Sequence, residues 1–487
     1  MPVVSYGRAL SLHTERDPGA TAIVHEGHVT TLGELESAAR RRARQYLDQG
    51  VEPGDFVTIA LPNCVEFFEA AFAAWKIGAV PQPVSSHLPL AEREAILERA
   101  QPAIIVGVEP GTHGDRVCLP SGSDVSGQDD GPLPDIVAPN RQALTSGGST
   151  GTPKVIVDVL AAEVDPEVSF YGVEPGRTTL IPGPLYHAGP FINGMVTLLT
   201  GGHVILMSRF DPEATLALIE EHQIAFVNLV PTMMQRIWRL PEETRTRYDL
   251  ASLRSVYASG AACPGWLKRA WIDWLGPERI FEAYGATERT GGTMITGTEW
   301  LERPGSVGRP THGRKIEIRD EEGKPLPTGE IGEVYMLPPG GPGSTYRYIG
   351  AEPRATPDGW ESLGDMGYMD EDGFLFLVDR RNDMIVTGGA NVYPAEVEAA
   401  LDAHPCVHSS AVIGLPDEDL GQRIHAIIQA HPPISEDEIR THLAEHLVRY
   451  KTPRSFEFTD QPLRDDAGKV RRSKLRDDRI AAADRSD

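Results

Sequence analysis

The sequence predicts an α/β protein: a large N-terminal domain of mostly parallel strands and helices, followed by a small α+β domain. Three observations carry this. Strand-like and helix-like segments alternate at βαβ spacing in the first part of the chain. Near residue 380 the elements become shorter and the pattern changes. The length, 487 residues, is enough for two or more cores, and hydrophobic and charged fractions of 40% and 24% are ordinary globular values.

Thr31 and Glu34 form a capping-box pair, and Leu35, Ala39, Ala43 and Tyr46 or Leu47 then recur at helical spacing. Gly50 ends that helix, and Phe56 to Ala60 reads as a buried strand. Val204 to Met207 is strand-like, Asp211-Pro212 is a cap and first-turn pair for a helix through Ile219, and Phe226 to Val230 is the next strand. Pro338 to Gly343, dense in glycine and proline, reads as a mobile surface loop inside the large domain. Past 380, Pro394 opens a helix with Val397, Ala400 and Leu401 inward. Val407 to Ile413 and Ile424 to Ala430 read as strands, and Ser435 with Glu438 caps a helix carrying Ile439, Leu443 and Leu447.

Composition excludes several classes. A net charge of −24 argues against non-specific nucleic-acid binding. The four cysteines, Cys64, Cys118, Cys263 and Cys406, make no C-x-x-C, so neither a zinc site nor a disulfide framework is expected and a reducing cytoplasm is the simplest home. The most apolar stretch, Val65 to Val80, carries Glu66, Glu69 and Lys76 and is too short and charged to span a bilayer. The first residues lack the pattern of a signal peptide.

The stretch "ALTSGGSTGTPKVIV" (143–157) sets a sharper question. Its Gly147-Gly148-Ser149-Thr150-Gly151 spells G-x-S-x-G, but an elbow serine needs a helix directly after it, and Val155-Ile156-Val157 favours strand. A Walker A loop needs G-K-[ST], whereas Pro153 precedes Lys154 here. What remains is a glycine and hydroxyl loop between two strands, suited to follow a polyphosphate.

Further stretches follow in order: "SVYASGAACP" (255–264), "FEAYGATERTGG" (281–292), "LGDMGYMDEDGFLFLVDR" (363–380), "VTGGANVYP" and "RDDAGKVRRSKL" (464–475). Together they resemble the adenylate-forming superfamily of acyl-CoA synthetases, adenylation domains and luciferases over nearly the whole chain. "LPLAEREAIL" (88–97) and "PLYHAGP" (184–190) look most like bile-acid and steroid-type CoA ligases. The resemblance implies stacked sheets in residues 1–380, a hinge at Arg381 and Asn382, and a small mobile domain over 383–487. It implies ATP, Mg²⁺ and CoA as cofactors and a carboxylic acid as substrate, with no nucleic acid or membrane span, and it allows a homodimer.

By the same resemblance, Thr145, Ser146, Gly147, Gly148, Ser149, Thr150, Gly151 and Lys154 would close over the β- and γ-phosphates. Gly260, Ala261 and Ala262 would wall the base, and Tyr284 in Tyr284-Gly285-Ala286-Thr287 would stack on adenine. Thr287 would bond the α-phosphate and Glu288 would hold Mg²⁺, which favours one or two carboxylates plus phosphate oxygens. Asp365 and Arg380 would hold the ribose, His187 would gate the acyl pocket, and Gly388 and Gly389 would line the pantetheine path. Lys469 would bridge the acid and the α-phosphate as negative charge builds up. Arg471, Arg472 and Lys474 read as a solvated basic flank, near CoA phosphates at most.

Three positions depart from the pattern: Asn382 at the hinge, Ala390 where glutamate is common, and Val155-Ile156-Val157 in place of the usual Thr-His. Gly189, Gly194, Gly291 and Gly292 suggest a roomy pocket, and with the bile-acid likeness they point to a bulky steroid or diterpenoid acid. Fatty and aryl acids are the runners-up, and loading of a separate carrier protein is the alternative to CoA.

Overall fold

The structure is a computed structural model and describes residues 2–146, 154–169, 172–381, 383–465 and 468–483. Local sequence rules set the helices. Thr31 and Glu34 complete their capping box, so the helix Leu32–Asp48 starts where the side chains satisfy its first N–H groups. It turns Leu35, Ala39, Ala43 and Tyr46 fully inward and leaves Leu47 outside. Asp211 caps Pro212–Glu221 by accepting from the Ala214 N–H at 2.8 Å, and Ser435 caps Glu436–His446 in the same way as Thr31.

A nine-stranded sheet forms the middle of the large part. Six parallel strands, in spatial order Ile280–Gly285, Ser255–Ala258, Phe226–Leu229, Thr178–Ile181, His203–Leu206 and Thr21–His25, are flanked by antiparallel edges. The helix Pro212–Glu221 does join two parallel strands, but Thr178–Ile181 lies between them. Spacing along the chain sets strand direction; adjacency depends on where the crossover lands.

A second, four-stranded parallel sheet runs Val80–Pro83, Phe56–Ile59, Ile104–Val106 and Cys118–Leu119. The helices Tyr6–Arg16, Leu32–Asp48, Val65–Lys76 and Ala188–Leu199 share one core with both sheets, which stacks them. Val65–Lys76 is apolar because it is buried on nearly all sides, with Phe67, Phe68, Phe72 and Trp75 at 1% exposure or less. Among the described residues no helix is long and apolar enough to cross a membrane.

Not all of the large part is parallel. An antiparallel sheet gathers Lys315–Arg319, Gly332–Leu337, Glu361–Met369, Arg354–Ala355 and Leu375–Arg380. A three-stranded antiparallel sheet holds Ala143–Ser146, Lys154–Asp158 and Tyr346–Ile349. The Pro338 to Gly343 loop lies between the strands Gly332–Leu337 and Tyr346–Ile349, so it links these two sheets.

The C-terminal part has its own core. Val397, Leu401, Val407, Val412, Ile424, Ile439 and Leu443 pack together at 0 to 2% exposure, drawn from two helices and the hairpin Val407–Asp417/Gly421–Ala430. A final helix, Arg472–Ala483, overturns the solvated-flank expectation for Arg472. Its guanidinium pairs with both Glu398 oxygens and with Asp383 at 2.8 to 2.9 Å, an anchor rather than a free charge.

Candidate active site

The parallel strands Phe226–Leu229, Ser255–Ala258 and Ile280–Gly285 end side by side, and a doubly wound sheet offers its crevice at such ends. Gly260 follows the middle strand at φ +84°, and an added Cβ would sit 3.3 Å from Val230 Cγ1. Ala261 and Ala262 continue this small-residue wall. After Gly285, Ala286 and Thr287 are half-buried, and the turn closes with Arg289 N–H donating to the Ala286 carbonyl at 3.0 Å. Arg289 adopts φ +56°, rare for a side-chain-bearing residue, and its guanidinium pairs with buried Asp158. That pairing fixes the turn so that Glu288 points inward, at 6% exposure.

Ala143–Ser146 pairs antiparallel with Lys154–Asp158, Ser146 opposite Lys154, so a strand follows the glycine loop and the elbow-serine geometry is absent. Gly147, Gly148, Ser149, Thr150 and Gly151 lie outside the described residues. At the loop's base, the Thr145 hydroxyl is buried with no hydrogen-bond partner among the described residues. Lys154 Nζ reaches Glu288 Oε1 at 3.2 Å and the Tyr348 hydroxyl at 2.6 Å, and it sits 3.9 Å from the Tyr348 ring centre. Tyr348 in turn donates to Glu288 Oε1 at 2.7 Å. Burial and the Glu288 charge push the Tyr348 pKa up, which keeps that donor protonated.

Asp365 and Arg380 are register partners on neighbouring antiparallel strands, and Arg380 Nε lies 3.4 Å from Asp365 Oδ1. The Tyr284 hydroxyl donates to Asp365 Oδ2 at 2.6 Å. Burial, with the Asp365 charge behind it, raises the Tyr284 pKa well above its ordinary value. The tyrosine expected against the base is thus tethered to the carboxylate expected at the ribose.

The C-terminal part delivers Lys469 to this crevice. Asp465 N–H donates to the Lys469 carbonyl at 3.0 Å, and Lys469 N–H donates to Asp465 Oδ1 at 2.9 Å. Between them Gly468 adopts φ +74°, and a Cβ there would lie 2.8 Å from Thr232 Oγ1. The loop can lie on the start of the helix Pro231–Trp238 only because that residue is glycine. Burial lowers the Lys469 pKa; Asp465 and Glu288 oppose this and Arg380 adds to it.

His187 is the N-cap residue of Ala188–Leu199, and its Nε2 is buried with no partner among the described residues. Burial, reinforced by Lys469, pushes its pKa down to about 4, so the ring is neutral at physiological pH. Lys469 therefore feels the charges of Glu288 and Arg380, and His187 feels that of Lys469, although these residues come from distant segments.

The His187 shift carries a sign. The folded ring binds its proton only below the unfolded value, so stability is lost as pH falls from about 6.5 towards 4. His187→Phe is expected to remove up to about 3 kcal/mol of that loss. Denaturant melts of parent and variant at pH 7 and pH 4 check this; a gap between them that does not change with pH would refute it.

Gly388 and Gly389 are not at this crevice. They form the turn of the hairpin Ile385–Thr387/Ala390–Val392 at φ +56° and +80°, and Gly388 N–H donates to the Leu420 carbonyl at 3.0 Å. Arg381 N–H donates to the Gly364 carbonyl at 2.8 Å and its side chain pairs with Glu333; Asn382 lies outside the described residues.

The roomy-pocket premise fails at three of its glycines. A Cβ on Gly291 would fall 2.4 Å from Met336 Sδ, one on Gly292 3.0 Å from the Tyr284 carbonyl, and one on Gly194 3.2 Å from the Phe68 ring. These glycines permit close packing and do not open a cavity. An added Cβ on Gly189 would lie 3.2 Å from Asn228 Nδ2. Sequence reasoning missed Tyr348, Arg289, Asp465 and the packing role of Gly468. Only the glycine before Lys469 and the repeated tyrosines of "YRYI" hinted at any of them.

Residues 10–346 match the family described as AMP-binding enzyme, and residues 396–469 match the AMP-binding enzyme C-terminal domain. Feruloyl-CoA synthase of an Amycolatopsis species is 33% identical, the alignment covering 94% of this chain and 96% of that protein. A fatty acid–[acyl-carrier-protein] ligase of Streptomyces coeruleorubidus is 30% identical over 96% and 95%. The o-succinylbenzoate CoA synthetase of Bacillus subtilis, solved with its acyl-adenylate intermediate, is 26% identical over 98% of both chains at a TM-score of 0.81. The same enzyme solved with ATP and magnesium ion gives 26% identity over 96% and 98%, at 0.79.

Proposed function

This chain belongs to the AMP-binding enzymes, and from that premise we propose that it is an ATP-dependent acid–CoA ligase, forming acyl-AMP and pyrophosphate and then acyl-CoA and AMP. The observation that carries the reading is the convergence of the C-terminal lysine Lys469, whose neighbour Gly468 packs against Thr232, with Glu288, Arg380 and His187 at the ends of the large sheet. A carboxylate is a poor acyl donor; joining it to AMP supplies a leaving group. Lys469 brings positive charge to the oxygens where charge builds up. Thr145 and Lys154 are suited to the β- and γ-phosphates, Thr287 to the α-phosphate, and Asp365 with Arg380 to the ribose.

The residues fit Mg²⁺. Glu288 is a buried carboxylate beside the phosphate-loop lysine, a single acidic ligand next to where phosphates would lie. That suits a cation taking most of its ligands from phosphate and water. Bound there, it neutralises polyphosphate charge. For the thioester step we infer that residues 383–487 turn about Arg381 and Asn382, withdrawing Lys469 and bringing up Gly388 and Gly389. The separate core of the C-terminal part supports such a rigid turn.

The acid is read as aromatic. Tyr257 stacks on Phe281 at 5.0 Å and 13°, and Phe226 lies 5.3 Å from Tyr257. Beside them the Ser259 hydroxyl donates to Asn228 Oδ1 at 2.8 Å. An aromatic cluster with a polar pair suits an aryl acid bearing a hydrogen-bonding substituent. The feruloyl-CoA synthase likeness points the same way, and the filled glycines weigh against a steroid-sized acid. ATP–pyrophosphate exchange over aryl, fatty and steroid acids is expected to peak with an aryl acid. Adding CoA should then release AMP. Thioester formation with a carrier protein alone would move the acceptor to the alternative that the Streptomyces coeruleorubidus relative illustrates. No exchange with any acid would refute the ligase reading.

A further inference from the structure

We propose that Tyr348 is a positioning residue for the phosphate and magnesium end of the site, its one hydroxyl accepting from Lys154 and donating to Glu288. The inference rests on the adenylating reading above, because it gives those two partners their tasks. Tyr348 stands on Tyr346–Ile349, the third strand of the phosphate-loop sheet, opposite Ile156. Lys154 is two residues from Ile156 along its strand and so shares that face. The phenol therefore spans from the hairpin to the turn after Gly285, two segments that meet nothing in common along the chain.

The ring itself is held in place. Tyr346, 4% exposed, packs edge-on against Tyr348 with centres 4.7 Å apart at 73°. Lys154 Nζ over the ring face adds a second grip on the ammonium. Lys154 and Glu288 already pair at 3.2 Å, and without the hydroxyl nothing would fix the geometry of that pair. With it, each keeps a fixed direction. A triphosphate that draws Lys154 towards itself leaves the phenol still donating to Glu288 Oε1. A donor on one oxygen holds the carboxylate plane and leaves the other oxygen for a cation. A phenylalanine would keep the ring packing and the contact with the ammonium but lose both hydrogen bonds.

The test is binding, measured on the full-length chain. Calorimetry with a non-hydrolysable ATP analogue, with and without MgCl₂, gives the magnesium-dependent gain in affinity for parent and Tyr348→Phe. The variant is expected to lose about tenfold of that gain, the scale of one hydrogen bond to a charged group. Its melting temperature and its conversion of supplied acyl-AMP into thioester should stay parental. In a Glu288→Gln background, Tyr348→Phe should add little, because the partner it acts through is already gone. Tyr348→His, which returns a ring donor, should recover part of the gain and serves as the probe if the phenylalanine variant melts early. Equal losses with and without magnesium, an unchanged magnesium gain, full additivity in the double variant, or a parent showing no magnesium gain would each overturn the proposal. A parent that binds the analogue with a magnesium gain yet makes no AMP from any acid would refute the ligase reading alone.

Discussion

Lys469→Ala is expected to slow acyl-AMP formation by about 10²–10³-fold while leaving the conversion of supplied acyl-AMP into thioester near the parental rate. The asymmetry follows from how the lysine reaches the site. It sits on a loop closed by the Asp465 main-chain and side-chain bonds and laid against Thr232 through Gly468, so its ammonium is pre-positioned. Partial desolvation lowers its pKa although the residue keeps exposed surface, and that part of the cost is borne on folding and not during the reaction. Such a charge stabilises the bond-making of the first step. In the proposed second step the lobe has turned and the lysine is elsewhere. Pyrophosphate exchange and single-turnover thioester formation measure the two halves separately. If both fell equally, Lys469 would be a general structural or binding residue and the two-conformation reading would lose its support.

Local side-chain rules were legible in the sequence, and long-range pairings were not. The capping boxes at Thr31 and Ser435 lie within one helical turn, so three residues suffice to predict them. Arg472 was read as solvated because its partners, Asp383 and Glu398, stand 89 and 74 positions away. Gly291 read as pocket space because Met336, which fills it, arrives on another sheet. The same limit hid Tyr348: its chemistry depends on Lys154 and Glu288, 194 and 60 positions distant. Motif resemblance named Lys469, Glu288 and Asp365 as candidates because those residues sit in short recognisable strings. It did not supply the tyrosine tethers that hold two of them.

Asp365→Ala is the second variant with a large expected effect: ATP affinity should fall by about 10²-fold or more, with a modest fall in melting temperature because the buried Tyr284 phenol loses its acceptor. Asp365 Oδ2 takes the Tyr284 hydroxyl and Oδ1 faces Arg380, with the carboxylate 13% exposed. Two ribose hydroxyls donating to this charged group are each worth about 1.5–3 kcal/mol, and their joint loss gives the predicted factor. A further part comes from Tyr284, whose buried phenol loses its acceptor and with it the orientation proposed for adenine. Calorimetry with ATP and with 2′-deoxy-ATP separates the two contributions. The parent should prefer the ribonucleotide, and the variant should bind both alike. An Asp365→Ala protein that still discriminates between them would reduce Asp365 to a tether for Tyr284 and move ribose recognition to another residue.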